Sequence, residues 1–253
     1  MKVTIIGGGH IGGACALGLK DVAAITVVTR RVETLAKFEG TGVNAILNKD
    51  EAFLSAVQES DVVMFCVKTA QMREAVDSLK SMLKGKTVVS MAAQVDSAQM
   101  QEMIGEGVQL AYVIPNTAIA YKQSMTFISS VSASEATMRM LEELFNTAGE
   151  TVVVPLDMLP AGISLASCGL GYALNYIAAA SRGGEKLGFS REDAVRIVTQ
   201  TVLGAAIVQG ASEDAPEDEV RKVATPGGLT EKGVKAMEDA GFSTAVIAGL
   251  CPD

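Results

Sequence analysis

The sequence predicts an α/β chain: a mostly parallel sheet covered on both faces by helices, followed by an all-helical domain. Three observations predict it. Apolar, strand-like runs alternate with helix-like stretches over the first 156 or so residues. A glycine turn, Gly7-Gly8-Gly9-His10-Ile11-Gly12, joins the first such run to the first such helix. Beyond about residue 157 no strand signal remains.

Taken in order, residues 3–6 read as a buried strand, 11–19 as a helix, 24–29 as a strand and 32–38 as a helix. A helix is expected at 49–58, then a strongly apolar strand at 62–67, a helix at 72–83 and a strand at 87–91. Strands at 108–114, 125–130 and 152–154 follow, with a helix at 135–147. Crossovers of this length imply parallel pairing. The division is expected at 156/157, giving a dinucleotide-binding domain over 1–156 and a helical domain over 157–253. The helices of the second are expected at 161–186, 191–210, 217–224, 230–240 and 243–250, punctuated by Gly183-Gly184, Gly188, Gly210 and Pro226-Gly227-Gly228. Ser190 before Glu192-Asp193 resembles a helix cap with acids in the first turn.

Composition narrows the function. The 253 residues carry a net charge of −8, which argues against a nucleic-acid partner. Cys15, Cys66, Cys168 and Cys251 are scattered, with no pair at metal-ligand spacing, so free thiols and no metal site are expected. No secretory signal is read after Met1-Lys2-Val3, and a cytoplasmic location is expected. Residues 161–180 contain no charge, but they are rich in Ala, Gly and Ser and include Asn175. A helix buried inside a homodimer or higher homo-oligomer is expected there, rather than a membrane span.

The glycine turn has the context of a Rossmann-type dinucleotide site, because it follows an apolar strand and opens a helix. Gly7 permits the tight turn, Gly9 lets a pyrophosphate approach the backbone, and Gly12 lets the helix pack on the strand. An NAD-selective site carries an acid about 20 residues further on. Here that position holds Thr29-Arg30-Arg31, which suits a ribose 2′-phosphate. NADPH is therefore the expected cofactor. The single histidine, His10, lies inside the glycine turn, where no general acid is expected. Reduction of an already protonated imine fits such a chain, since that step needs no strong acid or base. Pro226-Gly227-Gly228 reads as a tight turn with exposed N–H groups that opens a helix near Thr230, and the donors and dipole of such a start suit a small carboxylate.

Residues 220–238, with Thr225-Pro226-Gly227-Gly228-Leu229-Thr230, resemble the C-terminal signature of Δ1-pyrroline-5-carboxylate reductases. Gln200-Thr201-Val202-Leu203-Gly204-Ala205-Ala206 is similar to another segment of that family, as are Asp61-Val62-Val63 through Val67-Lys68, Ser90-Met91-Ala92-Ala93 and Pro115-Asn116-Thr117. The resemblance runs along essentially the whole chain. It implies NADPH-dependent reduction of Δ1-pyrroline-5-carboxylate to L-proline, and an active site shared between interlocked subunits. It implies that Gly7, Gly9, His10, Ile11 and Gly12 hold the pyrophosphate and that Thr29, Arg30 and Arg31 read the ribose phosphate. Val67, Lys68, Ala92, Ala93 and Asn116 would serve the nicotinamide end. Ser167, Gly169, Gly227, Gly228 and Thr230 would hold the cyclic imino acid, with Thr230 closest to the chemistry. The family's Ser-Gly-Ser-Gly-Pro-Ala-Tyr has become Ala166-Ser167-Cys168-Gly169-Leu170-Gly171-Tyr172. That stretch keeps two alternatives open: a related NADP-dependent imine or oxo-acid reductase with another substrate, and a non-catalytic NADP-binding sensor.

Overall fold

A computed structural model describes residues 1–92 and 94–251 and divides the chain into two compact units, Met1–Ser167 and Cys168–Asp253. The first holds an eight-stranded sheet in the order β3-β2-β1-β4-β5-β6-β7-β8. Its strands are β1 Lys2–Ile6, β2 Ala24–Thr29, β3 Asn44–Leu47, β4 Val62–Phe65, β5 Thr87–Ser90, β6 Gln109–Ile114, β7 Ser124–Ser130 and β8 Gly149–Val153. Every neighbouring pair is parallel except β6 and β7. The exception follows from the connection. A 3-10 turn at Thr117–Tyr121 reverses the chain, with Lys122 in the left-handed region at φ 59°.

The central strands are apolar on both faces, as a doubly covered sheet requires. In β1, Val3 and Ile5 enter one core, and Ile6 enters the core on the opposite face. The first core is completed by α1 His10–Leu19, through Cys15, Ala16 and Leu19, and by α6 Glu135–Asn146, through Leu141, Leu144 and Phe145. The other core is closed by α3 Ala52–Glu59, α4 Thr69–Asp77 and α5 Ser97–Ile104. A short α2 Val32–Leu35 follows β2. Thr4, buried in β1, is satisfied by Ser60 Oγ at 2.6 Å and by donating to Ala56 O at 3.1 Å.

The expected strand and helix pattern holds, with two additions. β3 has only partly buried or exposed residues and no strong apolar run. The Ser- and Gln-rich α5 starts at Asp96, whose Oδ1 accepts from Ala98 and Gln99 N–H, and it buries Met100, Met103 and Ile104. The compact unit also runs past the expected 156/157 division. Leu159 is 4% exposed in the sheet core, and a Cβ on Gly162 would lie 2.9 Å from the Phe127 ring. The chain after β8 therefore stays on the sheet until Ser167.

The second unit is helical, as expected: α8 Gly169–Lys186, α9 Arg191–Ala211, α10 Pro216–Val223, α11 Leu229–Asp239 and α12 Phe242–Leu250. Ahead of α8, the single helix expected at 161–186 is instead a short α7 Leu159–Gly162, a π-helical segment Ile163–Cys168, and then α8. Ser190 caps α9 by accepting from Asp193 N–H at 3.0 Å, as the sequence implied. Leu156–Lys186 and Arg191–Ala211 are long and apolar enough to cross a membrane by length and composition. Their apolar windows are almost wholly unburied within the single chain, with Leu174 57%, Leu203 52% and Ile207 61% exposed.

The glycine turn depends on two contacts that no other residue permits. Gly7 sits at φ 111°, and a Cβ there would meet Cys66 O at 2.7 Å. A Cβ on Gly12 would lie 2.0 Å from Gly7 O and 3.0 Å from Cys66 Cβ. Gly12→Ala should cost about 1–3 kcal/mol of stability through forced backbone shifts, measured by urea denaturation. An unchanged midpoint would contradict this packing.

Alkaline stability tests the cores themselves. Burial pushes the Cys66 thiol up to about 12 from an ordinary 9.0 and raises Cys15 well above its usual value. Burial, aided by the Asp96 charge, pushes Tyr112 up to about 12 from 10.0, and its hydroxyl donates to Val95 O at 2.5 Å. These acids hold their protons longer when folded. The unfolded chain deprotonates first, so stability is full below about pH 9 and falls as the pH rises toward about 12. Urea midpoints should drop across that window, and a flat profile would contradict burial of these groups.

Candidate functional site

The C-terminal ends of β1, β2 and β4 open on one cavity of about 380 Å³ in the first unit. That volume falls within the range of small-molecule sites. Position follows from the sheet: these strands flank the topological switch between β1 and β4, where such folds leave a crevice. Gly7, Gly9, His10, Thr29, Arg30, Arg31, Val67 and Lys68 line it, as the sequence implied.

The N-terminus of α1 is uncapped. Gly9 occupies the cap position without a side-chain bond, and α1 carries no acid in its first turn. The first α-helical bond is Gly13 N–H to Gly9 O at 2.8 Å. The N–H groups of His10, Ile11 and Gly12 have no backbone acceptor among the described residues. The space beyond Gly9 is open, since a Cβ there would meet nothing within 4 Å. Unpaired donors, the helix dipole and open space together favour an anion.

Charge at the other end of the cavity points the same way. Arg30 and Arg31 are exposed where β2 ends, and Arg31 N–H is held by Thr29 Oγ1 at 3.3 Å. Thr29 O accepts from Asn48 N–H at 2.9 Å, which fixes the two loops against each other. Lys37 and Lys68 also line the cavity, against one carboxylate, Glu74. None of the four cations forms an ion pair among the described residues. In a chain of net charge −8, this concentration of unpaired positive charge marks the cavity for an anionic ligand.

Other expected cofactor residues sit differently. Ile11 and Gly12 lie just inside α1 and support the turn rather than lining the cavity. Ala92 is half-buried after β5, and Ala93 lies outside the described residues. Asn116 is not part of the cavity lining, and its side chain is engaged within the fold. Its Oδ1 accepts from Ala118 N–H at 3.0 Å, and its Nδ2 donates to Ala166 O at 3.3 Å. Sequence reasoning missed Thr34, Lys37, Asn48, Phe53, Gln71, Glu74, Ala75 and Ser78. Lys37 was discoverable as a third cation seven positions beyond Arg30. Asn48 was not, because its place depends on β3.

The Pro226–Thr230 loop, in the second unit, has a turn at Gly227 (φ 74°) and opens α11. One correction is needed. Exposed N–H groups were expected at Gly227 and Gly228, but the loop uses both internally. Gly227 N–H donates to Glu231 Oε2 at 2.7 Å, and Gly228 N–H to Thr225 O at 2.9 Å. The N–H groups without a backbone acceptor among the described residues follow directly, at Leu229, Thr230 and Glu231, behind a Gly228 cap with no side-chain bond. Thr230 is exposed, and its hydroxyl has no partner among the described residues. Ser167 and Gly169 fall at the end of the π segment and the start of α8, each half-buried.

Comparison with known proteins agrees with these features. Residues 157–251 match the family model for the pyrroline-5-carboxylate reductase dimerisation domain. Residues 2–94 match the model described as NADP oxidoreductase, coenzyme F420-dependent. Pyrroline-5-carboxylate reductase 2 of Dictyostelium discoideum is 30% identical over 275 residues, covering 98% of this chain and 89% of the relative. Pyrroline-5-carboxylate reductase 1 of the same organism is also 30% identical over 98% of this chain, which spans 48% of that relative, about half its length. The crystal structure of a Plasmodium falciparum pyrroline carboxylate reductase with NADP bound superposes with a TM-score of 0.87 at 20% identity, covering 99% of this chain and 94% of that one. The shared fold, the dimerisation model and the end-to-end identity have one reading: the chain belongs to the pyrroline-5-carboxylate reductase family.

Proposed function

We propose that this chain reduces Δ1-pyrroline-5-carboxylate to L-proline with NADPH, by hydride transfer to the imine carbon. The observation that carries the reading is the family's substrate loop, present here as an uncapped helix start with a free Thr230 hydroxyl. The relatives' names support the substrate, and the NADP-bound Plasmodium structure supports the cofactor.

NADPH, when bound, supplies the hydride. The N–H groups at the start of α1 hold its pyrophosphate, with Gly9 leaving room for close approach. Arg30 and Arg31 read the 2′-phosphate through charge-assisted bonds, at the edge Thr29 fixes. Val67 and Lys68 continue the cavity wall, and the family resemblance assigns them, with Ala92 and Ala93, to the nicotinamide end. The N–H groups of Leu229, Thr230 and Glu231, with the Thr230 hydroxyl, hold the imino acid's carboxylate and nitrogen. Gly227 and Gly228 serve by shaping that turn, and Ser167 and Gly169 border the same substrate. No side chain is assigned as a general base. A protonated imine is electrophilic without one, so catalysis rests on positioning and electrostatics.

The dimerisation model supports a homodimer or larger assembly that covers the apolar faces of α8 and α9. Four free cysteines suit a reducing, cytoplasmic compartment. The π-helical winding at Ile163–Cys168 overlaps, over residues 166–168, the stretch that departs from the family pattern, and it favours testing related cyclic imines alongside the main substrate.

Loss of NADPH absorbance with Δ1-pyrroline-5-carboxylate, set against other cyclic imines and oxo acids, tests the reading. Turnover of this imine above the panel is expected. Tight NADPH binding with no turnover of any panel member would overturn it in favour of a sensor. Arg30→Ala with Arg31→Ala should raise KM for NADPH at least roughly tenfold and leave KM for NADH nearly unchanged. Equal changes would remove the arginines from phosphate recognition. Thr230→Ala should lower kcat/KM for the imine roughly tenfold by deleting a hydrogen bond to a charged group. Unchanged kinetics would remove Thr230 from the site.

A further inference from the structure

We infer that Asn116 is a positioning residue for Ser167: it binds a carbonyl of the π-helical segment instead of touching the nicotinamide. This rests on the proposed reductase reading, in which Ser167 borders the substrate. All the residues concerned belong to the first compact unit.

The geometry assigns each polar group of Asn116 a partner. Its backbone N–H donates to Ser124 Oγ at 3.2 Å, which ties it to β7. Its Oδ1 caps the 3-10 turn through Ala118 N–H at 3.0 Å. Its Nδ2 donates to Ala166 O at 3.3 Å, across 50 positions of sequence. The residue is 8% exposed, so these bonds face little competition from water. One Nδ2 hydrogen and one Oδ1 lone pair are thus used within the fold, and Asn116 is absent from the cavity wall.

Ala166 is the functionally telling end of this bond. It lies inside Ile163–Cys168, the π-helical stretch of a helix otherwise wound as α. π turns are rare, appear mostly as single turns inside α-helices and are frequent at functional sites. Such a turn needs outside support to hold its register. Two supports bracket this one. On the N-terminal side, Gly162 presses on the Phe127 ring, where a Cβ would sit 2.9 Å away. Four residues on, Asn116 holds Ala166 O. Ser167 follows directly, so its direction is set by the turn these two contacts fix.

Asn116→Ser isolates the bond. Serine keeps a capping oxygen for Ala118 N–H but is too short to reach Ala166 O. In the full-length protein, amide exchange across residues 163–168 should accelerate roughly tenfold with loss of this bond. KM for the imino acid should rise severalfold, while the dissociation constant for NADPH, measured by fluorescence, stays within twofold. Asn116→Ala should reproduce both effects and also speed exchange in the 3-10 turn at Thr117–Tyr121. Unchanged exchange in Asn116→Ser overturns the inference. So does faster exchange with an unchanged KM, which would leave Ser167 unmoved. Weakened NADPH binding with normal exchange also overturns it and returns Asn116 to the cofactor. Exchange needs no turnover. A wild-type protein inactive on the imine therefore defeats the proposed function, while the exchange result still judges Asn116.

Discussion

The approach of Gly12 to the carbonyl of Gly7 is the constraint on which the rest of the site depends. The two backbones meet where a methyl group would be 2.0 Å from oxygen. That contact draws the start of α1 over the ends of β1 and β4. It leaves three N–H groups at the start of α1 without a backbone acceptor among the described residues. Cys66, directly after β4, completes the contact, its carbonyl against Gly7 and its Cβ against Gly12. Its Sγ lies 3.2 Å from Met91 Sδ, and Cys15 Sγ lies 3.8 Å from the same sulfur. Soft, adaptable sulfur side chains therefore pack together beside the turn.

Electrostatics turns this geometry toward a particular class of ligand. The chain is acidic overall, yet the cavity gathers Arg30, Arg31, Lys37 and Lys68 with no ion-pair partner among the described residues. Unpaired cations gathered on one exposed surface repel one another until an anion arrives. The second helix start, at Gly228, works by the same physics on a smaller scale. There Glu231 and Thr225 hold the turn in shape by occupying its first N–H groups, and the donors that remain are those of the helix itself.

Much of this was legible in the sequence because it is local. A glycine turn between an apolar strand and a helix has few alternatives, and the paired arginines sit at a fixed distance beyond it. The Ser190 cap and the α6 helix were equally readable, since each is written in neighbouring residues. What stayed hidden depends on distant partners. β3 forms because β2 offers it an edge, and its own four residues carry no apolar alternation. The Glu231 bond to Gly227 reverses the expected role of two N–H groups, and glycine spacing alone does not announce it. The π-helical turn at Ile163–Cys168 was read as plain helix, because nothing in its composition separates the two windings. Its supports come from far earlier in the chain: Phe127 lies 35 positions before Gly162, and Asn116 lies 50 before Ala166.

The central claim is that this chain moves a hydride to the imine carbon of a five-membered cyclic imino acid. The most direct measurement uses NADPH carrying deuterium at the transferred position, followed by mass and chiral analysis of the product. The account predicts L-proline with one deuterium on the ring carbon beside nitrogen that bears no carboxylate. L-proline without deuterium, or deuterium at any other carbon, would contradict it.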